Sequence, residues 1–258
     1  MDTAVTIEEL GWQGRIAFVG DMHGELYSLT RHLRTIKSRG IDLAISVGDL
    51  GYNFAETPDS FNEGLQRELT ELDLYLLWVD GNHENHPWLR TLPRDSTGFA
   101  PVTDRILWTP RGHCWTLAEK RFGAAGGAFS VNASSLVSQV SWFPRIEEVL
   151  EEDVERFKGV ELDVLVAHDV PAAVSMESGL QLTPAIERRA QESRTRLQTI
   201  VELTGADRTF SGHWHRRKTV SWERLDGGKT TSTVLGLERQ NEAVIGYDLF
   251  EDELFELY

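Results

Sequence analysis

The sequence has little cysteine and lacks any long apolar run. Cys114 is the single cysteine among 258 residues, so an intramolecular disulfide is excluded and nothing indicates an oxidising compartment. The longest apolar stretch, at residues 74–79, is far shorter than the ~20 residues that a transmembrane helix needs. The first ten residues lack the charged and then apolar pattern of a signal peptide. We therefore expect a cytoplasmic protein that does not enter a membrane.

Basic residues are also few in comparison with acidic ones. The chain has 26 lysines and arginines against 41 aspartates and glutamates, which gives a formal net charge of −15. A surface of that charge repels other polyanions, so we expect neither bulk nucleic acid nor an anionic membrane as a partner. A small phosphate ester could still bind where a metal ion makes the charge locally positive.

The apolar pattern predicts an α/β fold. Short apolar runs at 15–19, 43–47 and 74–79 indicate buried strands, and apolar residues at helical spacing between them indicate helices at 26–36 and 61–72. Three such units imply a parallel central sheet with right-handed crossovers. The remaining predicted strands are 105–108, 113–117, 121–125, 163–167, 208–211, 218–224, 229–235, 243–250 and 254–258, and the remaining helices are 146–157 and 184–203. No linker or repeat interrupts the chain, so we expect one domain over residues 1–258.

Five predicted strands end in side chains that can bind a metal ion. A lone histidine or aspartate at such a place is usually an ordinary hydrogen-bonded residue, but five repetitions at one sheet edge indicate a ligand site. The predicted site residues are Asp21, His23, Asp49, Asn82, His83, His168, His213 and His215. Mixed nitrogen and oxygen donors without thiolate favour Mn²⁺, with Fe, Zn or Ni as alternatives.

The charges of these residues favour a centre with two divalent metal ions. Asp49 follows the second strand and has two carboxylate oxygens, so it could bridge both ions. Two divalent ions contribute a charge of +4, and Asp21 and Asp49 contribute −2, so the centre has a net positive charge inside an acidic protein. Such a centre attracts a phosphoryl group.

The same residues resemble the motifs of the calcineurin-like metallophosphoesterases. Five segments match in order over residues 20–215, namely 20–24 (GDMHG), 48–49 (GD), 81–84 (GNHE), His168 and 212–215 (GHWH). The resemblance implies an α/β fold, a four-layer α-β-β-α sandwich of two mixed sheets flanked by helices, with the β-rich tail completing the second sheet.

The resemblance also implies roles for the individual residues. Asp21, His23, Asp49 and His215 would hold one metal ion, and Asp49, Asn82, His168 and His213 would hold the other. His83 would donate a proton to the leaving oxygen or steady it. The implied function is two-metal hydrolysis of small phosphate esters, with phosphodiesters such as cyclic nucleotides favoured. A phosphomonoesterase, a dinucleoside polyphosphate hydrolase and a non-catalytic scaffold of the same fold are the alternatives.

One segment departs from the motifs of related phosphatases. Phosphoprotein phosphatases and symmetrical dinucleoside tetraphosphatases follow the second motif with Asp-Arg-Gly, whereas residues 48–53 here read GDLGYN. The missing arginine argues against protein phosphatase activity. The glycine-rich segment 126–131 resembles bacterial and phage members of the family, and it either lines the substrate pocket or forms a buried hairpin.

Other polar residues adjoin the motifs. Asp80 and Asp169 could accept hydrogen bonds from ligand imidazoles and orient them. The basic run 216–218 either guides a phosphate ester or is simply solvated. We expect His86 in an exposed turn and the acidic residues 147–155 on a solvated helix face.

Overall fold

Two mixed β-sheets form the centre of the structure, a computed structural model that describes residue 7, residues 13–177 and residues 179–258. In chain order the strands are β1 (Arg15–Val19), β2 (Leu43–Ser46), β3 (Tyr75–Trp78), β4 (Ala100–Pro101), β5 (Ile106–Trp108), β6 (Cys114–Leu117), β7 (Lys120–Ala125), β8 (Val164–Ala167), β9 (Arg208–Ser211), β10 (Lys218–Glu223), β11 (Lys229–Val234), β12 (Val244–Asp248) and β13 (Glu253–Phe255). The helices are α1 (Leu26–Ser38), α2 (Ser60–Leu72), α3 (His86–Leu89), α4 (Glu151–Glu155) and α5 (Pro184–Thr204), with short 3₁₀ turns at Ala133–Ser135 and Asn241–Ala243. Among the described residues, none of the helices is long and apolar enough to cross a membrane.

Each sheet contains a run of parallel strands. The first sheet has the strand order β13-β12-β1-β2-β3-β5-β4, and β1, β2, β3 and β5 run parallel in it. The second sheet has the order β10-β11-β9-β8-β7-β6, and β11, β9, β8 and β7 run parallel. The strands that precede the predicted site residues belong to these two parallel runs, so their carboxyl ends meet at one edge of the molecule.

Alternating side chains along the strands create three apolar layers. Ile16 and Phe18 of β1 face the second sheet, where the Phe18 ring stacks on Phe210 with 3.6 Å between ring centroids. Ala17 and Val19 face the opposite way, against α1 and α2. Helices α4 and α5 cover the outer face of the second sheet. The observed order of layers is therefore helices, sheet, sheet, helices, and the four-layer fold class is confirmed.

The β-rich tail divides between the two sheets instead of completing only the second one. Strands β10 and β11 extend the second sheet, but β12 pairs antiparallel with β1 of the first sheet, with Arg15 opposite Asp248 and Val19 opposite Val244. The physical reason is that residues 16–19 are fully buried, so their backbone groups need hydrogen-bond partners on both edges of the strand.

The acidic segment is also different from the expected solvated helix. Only Glu151–Glu155 is helical, and Glu147 and Glu148 before it are buried. The Glu147 carboxylate accepts hydrogen bonds from the backbone N–H of Ser130 (3.1 Å) and of Phe143 (3.2 Å). Glu147 and Glu148 hold the loops beside the second sheet, so the expectation of solvent exposure is wrong for them, whereas Glu151, Glu152 and Glu155 are exposed as expected.

Candidate metal centre

Tight turns at the strand ends aim the predicted site residues toward one place. His23, Asp49, His213 and His215 have backbone φ angles of 46°, 51°, 65° and 53°. Residues other than glycine rarely adopt positive φ, and such strained backbone is concentrated at functional sites. The two histidines of the 212–215 motif and the aspartate of the second motif are thus held in conformations that regular strands and helices do not provide.

Three motif glycines allow the site residues to approach the backbone closely. A Cβ atom added to Gly212 would lie 2.0 Å from Oδ1 of Asp21. At Gly81 it would lie 2.1 Å from Oδ1 of Asp49, and at Gly48 it would lie 2.4 Å from Nδ1 of His168. Any side chain at these positions would displace a buried site residue, which explains why the motifs contain glycine there.

The first group of possible ligands consists of Asp21, His23 and His215. Oδ2 of Asp21 lies 3.2 Å from Nε2 of His215, which lies 3.2 Å from Nε2 of His23. The buried Asp21 carboxylate also accepts the backbone N–H of His213, at 2.8 Å through Oδ2 and 3.1 Å through Oδ1. One carboxylate and two imidazoles therefore converge at the open side of the centre and could hold a divalent ion.

The second group consists of Asp49 and His168 together with Asp21, which both groups share, and Asn82 adjoins it; all four residues are buried. The carbonyl of Val47 lies 2.9 Å from Nδ1 of His168 and can only accept, so Nδ1 carries a proton and Nε2 is left as the ligand atom. Nε2 lies 3.1 Å from Oδ1 of Asn82 and 3.3 Å from Oδ2 of Asp49. The amide of Asn82 donates to Oγ of Ser130 over 3.0 Å, which turns its carbonyl oxygen toward His168.

Asp49 belongs to the second group and also lies near His23 of the first. Its Oδ1 accepts the backbone N–H of His83 over 2.8 Å, while Oδ2 is 3.3 Å from Nε2 of His168 and 4.0 Å from Nδ1 of His23. Burial alone would raise the pKa of Asp49, but His168, His83 and His23 outweigh it and lower that pKa well below the usual value. This carboxylate is ionised and could contact an ion on either side.

The donor atoms of the centre fit divalent metal ions. Burial opposes protonation of His168, but the neighbouring Asp49 raises the pKa of His168 to about 10. An imidazole nitrogen, a carboxylate oxygen and an amide oxygen that meet within 3.3 Å need a cation between them, either a proton or a metal ion. Buried nitrogen and oxygen donors without thiolate match Mn, Fe or Zn.

The two remaining predicted residues adjoin these groups. The ring of His213 is T-shaped against His168, with 5.2 Å between ring centroids, but it is in neither three-residue group. Desolvation lowers the pKa of His213 and so favours the neutral form that a metal ligand requires. The His83 ring borders the cleft described below, 5.7 Å from the His23 ring. Six of the seven predicted ligands thus lie within 3.3 Å of at least one other, and the His213 ring packs beside His168.

A buried ion pair behind the centre carried no signal in the sequence. Nε of Arg111 donates to Oδ2 of Asp80 over 2.9 Å, and Oδ1 of Asp80 accepts from Nε1 of Trp108 over 3.2 Å. Arg111 also donates to the backbone carbonyls of Glu147 and Glu148. Asp80 therefore binds an arginine, not a ligand imidazole, and anchors the start of the 81–84 turn.

His86 and Asp169 also differ from expectation. His86 is 2% exposed and packs against Phe143, so its expected place in an exposed turn is wrong. Asp169 accepts hydrogen bonds from Nε1 of Trp214 (2.9 Å) and from the backbone N–H of Val170 (2.7 Å). It thereby ties the loop after β8 to the loop after β9, the two loops that bear His168, His213 and His215.

Glu84, the last residue of the 81–84 motif, holds the second motif from behind. It is fully buried, and its Oε1 accepts from the backbone N–H of Leu50 (2.9 Å) and from Nε1 of Trp78 (3.0 Å). Burial and the nearby Asp49 raise the pKa of Glu84 well above its usual value. The residue positions the turn that follows Asp49, a role that only its place in the motif could have suggested.

A cleft of about 580 Å³ opens from the centre. Within the described residues its lining is Asp49, Asn82, His83, Val131, Asn132, Asp169, Met176, Leu180, Leu182, Glu187, Ala190, Gln191, Arg194, His213, Trp214, His215 and Arg216. Of the basic run, only Arg216 lines the cleft, because Arg217 pairs with Glu256 and Lys218 donates to the carbonyl of Ser175.

Comparison with known proteins agrees with this geometry. A family model described as calcineurin-like phosphoesterase matches residues 14–217. That match covers most of the chain, so the protein belongs to the calcineurin-like phosphoesterase family, whose members are dimetal-dependent hydrolases of phosphate esters. The resemblance read from the motifs is confirmed.

Solved structures share the fold at low sequence identity. TT1561 of Thermus thermophilus is 13% identical, with a TM-score of 0.57 over 95% of this chain and 99% of that one. A dimetal phosphatase from Danio rerio is 11% identical, with a TM-score of 0.58 over 93% of this chain and 94% of that one. A comparison with curated protein sequences finds no significant match.

Proposed function

We propose that this member of the family is a two-metal phosphodiesterase that hydrolyses small phosphate diesters such as cyclic nucleotides. Metal-dependent hydrolysis of a phosphate ester follows from the family. The observation that supports two ions is the position of Asp49, whose Oδ2 is 3.3 Å from His168 and 4.0 Å from His23, in separate groups of ligand residues. The large cleft beside the centre supports a substrate whose phosphate carries a sizeable organic group.

The proposed ligand sets follow the two groups. One ion is held by Asp21, His23, Asp49 and His215. The other ion is held by Asp49, Asn82, His168 and His213. We favour Mn²⁺, with Fe, Zn or Ni as alternatives, because the donors are nitrogen and oxygen without thiolate.

The chain's own residues orient and protonate the substrate in this proposal. When bound, two divalent ions supply a water nucleophile of lowered pKa and neutralise charge on the phosphoryl oxygens. Asp49 is fixed by the N–H of His83, and Asn82 is fixed by Ser130. The imidazole of His83 borders the cleft and donates a proton to the leaving oxygen, a contribution of about 10²–10⁴ in rate.

A pair of aryl esters tests the substrate class. Protein loaded with Mn²⁺ is assayed with bis(4-nitrophenyl) phosphate, 4-nitrophenyl phosphate and 2′,3′- and 3′,5′-cyclic nucleotides. We expect a higher kcat/KM for the diester than for the monoester, and turnover of at least one cyclic nucleotide. A preference for the monoester would make the protein a phosphomonoesterase, and no turnover of any ester would support a non-catalytic scaffold.

A further inference from the structure

The cleft is much larger than the hydrolysis of a phosphate group requires. Its volume of about 580 Å³ lies within the ~300–1,000 Å³ that pockets for whole small molecules occupy. Only part of its lining belongs to the metal centre, namely Asp49, Asn82, His213 and His215. The rest of the cleft is therefore available to the organic part of the ester.

One face of α5 forms a wall of this cleft. Glu187, Ala190, Gln191 and Arg194 line it, and their spacing of three or four residues places them on one side of the helix. Trp214 also lines the cleft, between the site residues His213 and His215. A substrate group that contacts these residues therefore lies in the same cleft as the metal centre.

Trp214 and Arg194 are held in place by contacts within the protein. Nε1 of Trp214 donates to Oδ1 of Asp169 over 2.9 Å, and the guanidinium of Arg194 lies over the indole, 5.2 Å from the ring centroid. Arg194 also donates to the carbonyl of Val174. Side chains that are already held in place lose little conformational entropy when a ligand binds, so the cost of binding to them is low.

The lining of the cleft combines apolar surface with a side-chain amide that has no hydrogen-bond partner among the described residues. Ala190, Met176, Leu182 and Trp214 contribute the apolar surface. The side-chain amide of Gln191 makes no hydrogen bond within the described part of the chain, although it can donate and accept. An aromatic heterocycle has apolar faces and hydrogen-bonding edges, and a nucleoside carries such a ring at a size that suits this volume.

We propose that the part of the cleft lined by α5 and Trp214 binds the organic group of the substrate, that this group is a nucleoside, and that Ala190 and Gln191 select for it. The proposal rests on the proposed phosphodiesterase function and adds a substrate class and specificity-determining residues to it. The test leaves the predicted metal ligands unchanged, because Ala190 and Gln191 are not among them.

Two esters with the same scissile bond measure this selectivity. The 4-nitrophenyl ester of thymidine 5′-phosphate and 4-nitrophenyl methyl phosphate both release nitrophenolate, so their difference reports the remaining group. With Mn²⁺-loaded protein we expect kcat/KM to be about 10- to 100-fold higher for the thymidine ester, chiefly through a lower KM. Calorimetric titration with thymidine 5′-phosphate and with methyl phosphate measures binding without turnover, and thymidine 5′-phosphate should bind more tightly.

Substitutions on α5 test whether Ala190 and Gln191 select the organic group of the substrate. Ala190→Phe fills the cleft and should lower kcat/KM for the thymidine ester more than for the methyl ester, so that the advantage of the thymidine ester is lost. Ala185→Phe is the matched control, since Ala185 is exposed on the same helix and does not line the cleft. Gln191→Ala should raise KM for the thymidine ester about 10-fold. It also replaces Ala190→Phe as the test if that variant does not fold, as judged by circular dichroism and metal content.

The outcomes separate the two proposals. Equal kcat/KM for both esters, with equal binding of both phosphates, overturns the nucleoside cleft and leaves the phosphodiesterase intact. If neither diester is cleaved, the phosphodiesterase is wrong, and calorimetry alone decides the cleft. The cleft is supported in that case if thymidine 5′-phosphate binds more tightly and Ala190→Phe removes the difference, and it is overturned if the two phosphates bind alike.

Discussion

The backbone N–H of His83 donates a hydrogen bond of 2.8 Å to Oδ1 of Asp49. The residue proposed as proton donor therefore orients the carboxylate that lies near histidines of both ligand groups. Gly81 permits the contact, because a Cβ atom there would lie 2.1 Å from the same oxygen. Side-chain substitutions can separate the two roles, since this hydrogen bond uses only the backbone of His83.

Asp49→Asn should weaken binding of both ions. Asparagine keeps the size and the acceptor for the His83 N–H but loses the negative charge on the oxygen that faces both groups. We expect metal content below two per chain by elemental analysis and a loss of turnover. Asp104→Asn, on an exposed residue, is the control and should retain both. Two ions per chain and normal turnover in Asp49→Asn would refute the bridging role.

His83→Ala should slow chemistry without removing metal. The ring borders the cleft, and its loss leaves the leaving oxygen without a proton donor. For esters with poor leaving groups we expect kcat to fall by about 10²–10⁴, and for nitrophenyl esters, which need little protonation, much less. Both substrates are measured on one preparation with its metal content. Equal losses, or loss of metal, would show that His83 is a ligand or a structural residue.

Arg111→Met should destabilise the fold strongly. Arg111 and Asp80 are both buried, with 2.7 Å between Nη2 and Oδ2, so the variant leaves a carboxylate buried without its partner. We expect the free energy of unfolding, from urea titration, to fall by about 3–5 kcal/mol. Lys158→Met breaks the exposed pair with Glu155 and should cost less than about 1 kcal/mol. Similar costs for the two variants would contradict the importance of the buried pair.

His86 should make the protein less stable in mild acid. Burial, with Arg111 nearby, lowers the pKa of His86 to about 3 despite the attraction of Asp80. The folded state then binds fewer protons than the unfolded state once the pH falls below the unfolded pKa of about 6.5, so stability declines from there toward pH 3. Between pH 7 and pH 5 this histidine should cost about 2 kcal/mol. Urea unfolding with EDTA present should show a decline smaller by that amount in His86→Gln, and an identical decline would contradict the assignment.

Four of the five strands that carry the site, β1, β2, β3 and β8, could be predicted because they are short, largely apolar runs followed by polar residues. The predicted strands 15–19 and 208–211 coincide with β1 and β9. The pairing of the tail could not be predicted in the same way. Apolar periodicity can indicate a strand near residues 244–248, but it does not indicate that this strand pairs with residues 15–19.

Predictions for the site succeeded where a motif fixed the local backbone. Asp21, Asp49 and His168 converge because each follows a parallel strand of known direction. Burial of His86 and Glu147, and the pairing of Arg111 with Asp80, depend on residues from several distant segments. In a single sequence, a buried polar side chain that hydrogen-bonds to such loops cannot be distinguished from one that faces solvent.

Metal stoichiometry measured together with activity tests the central claim most directly. Protein stripped with a chelator is titrated with Mn²⁺, and bound metal and hydrolysis of bis(4-nitrophenyl) phosphate are followed on the same samples. We predict no activity in the stripped protein and recovery that is complete at two ions per chain. Full activity at one ion per chain or fewer would contradict the two-metal centre built around Asp49.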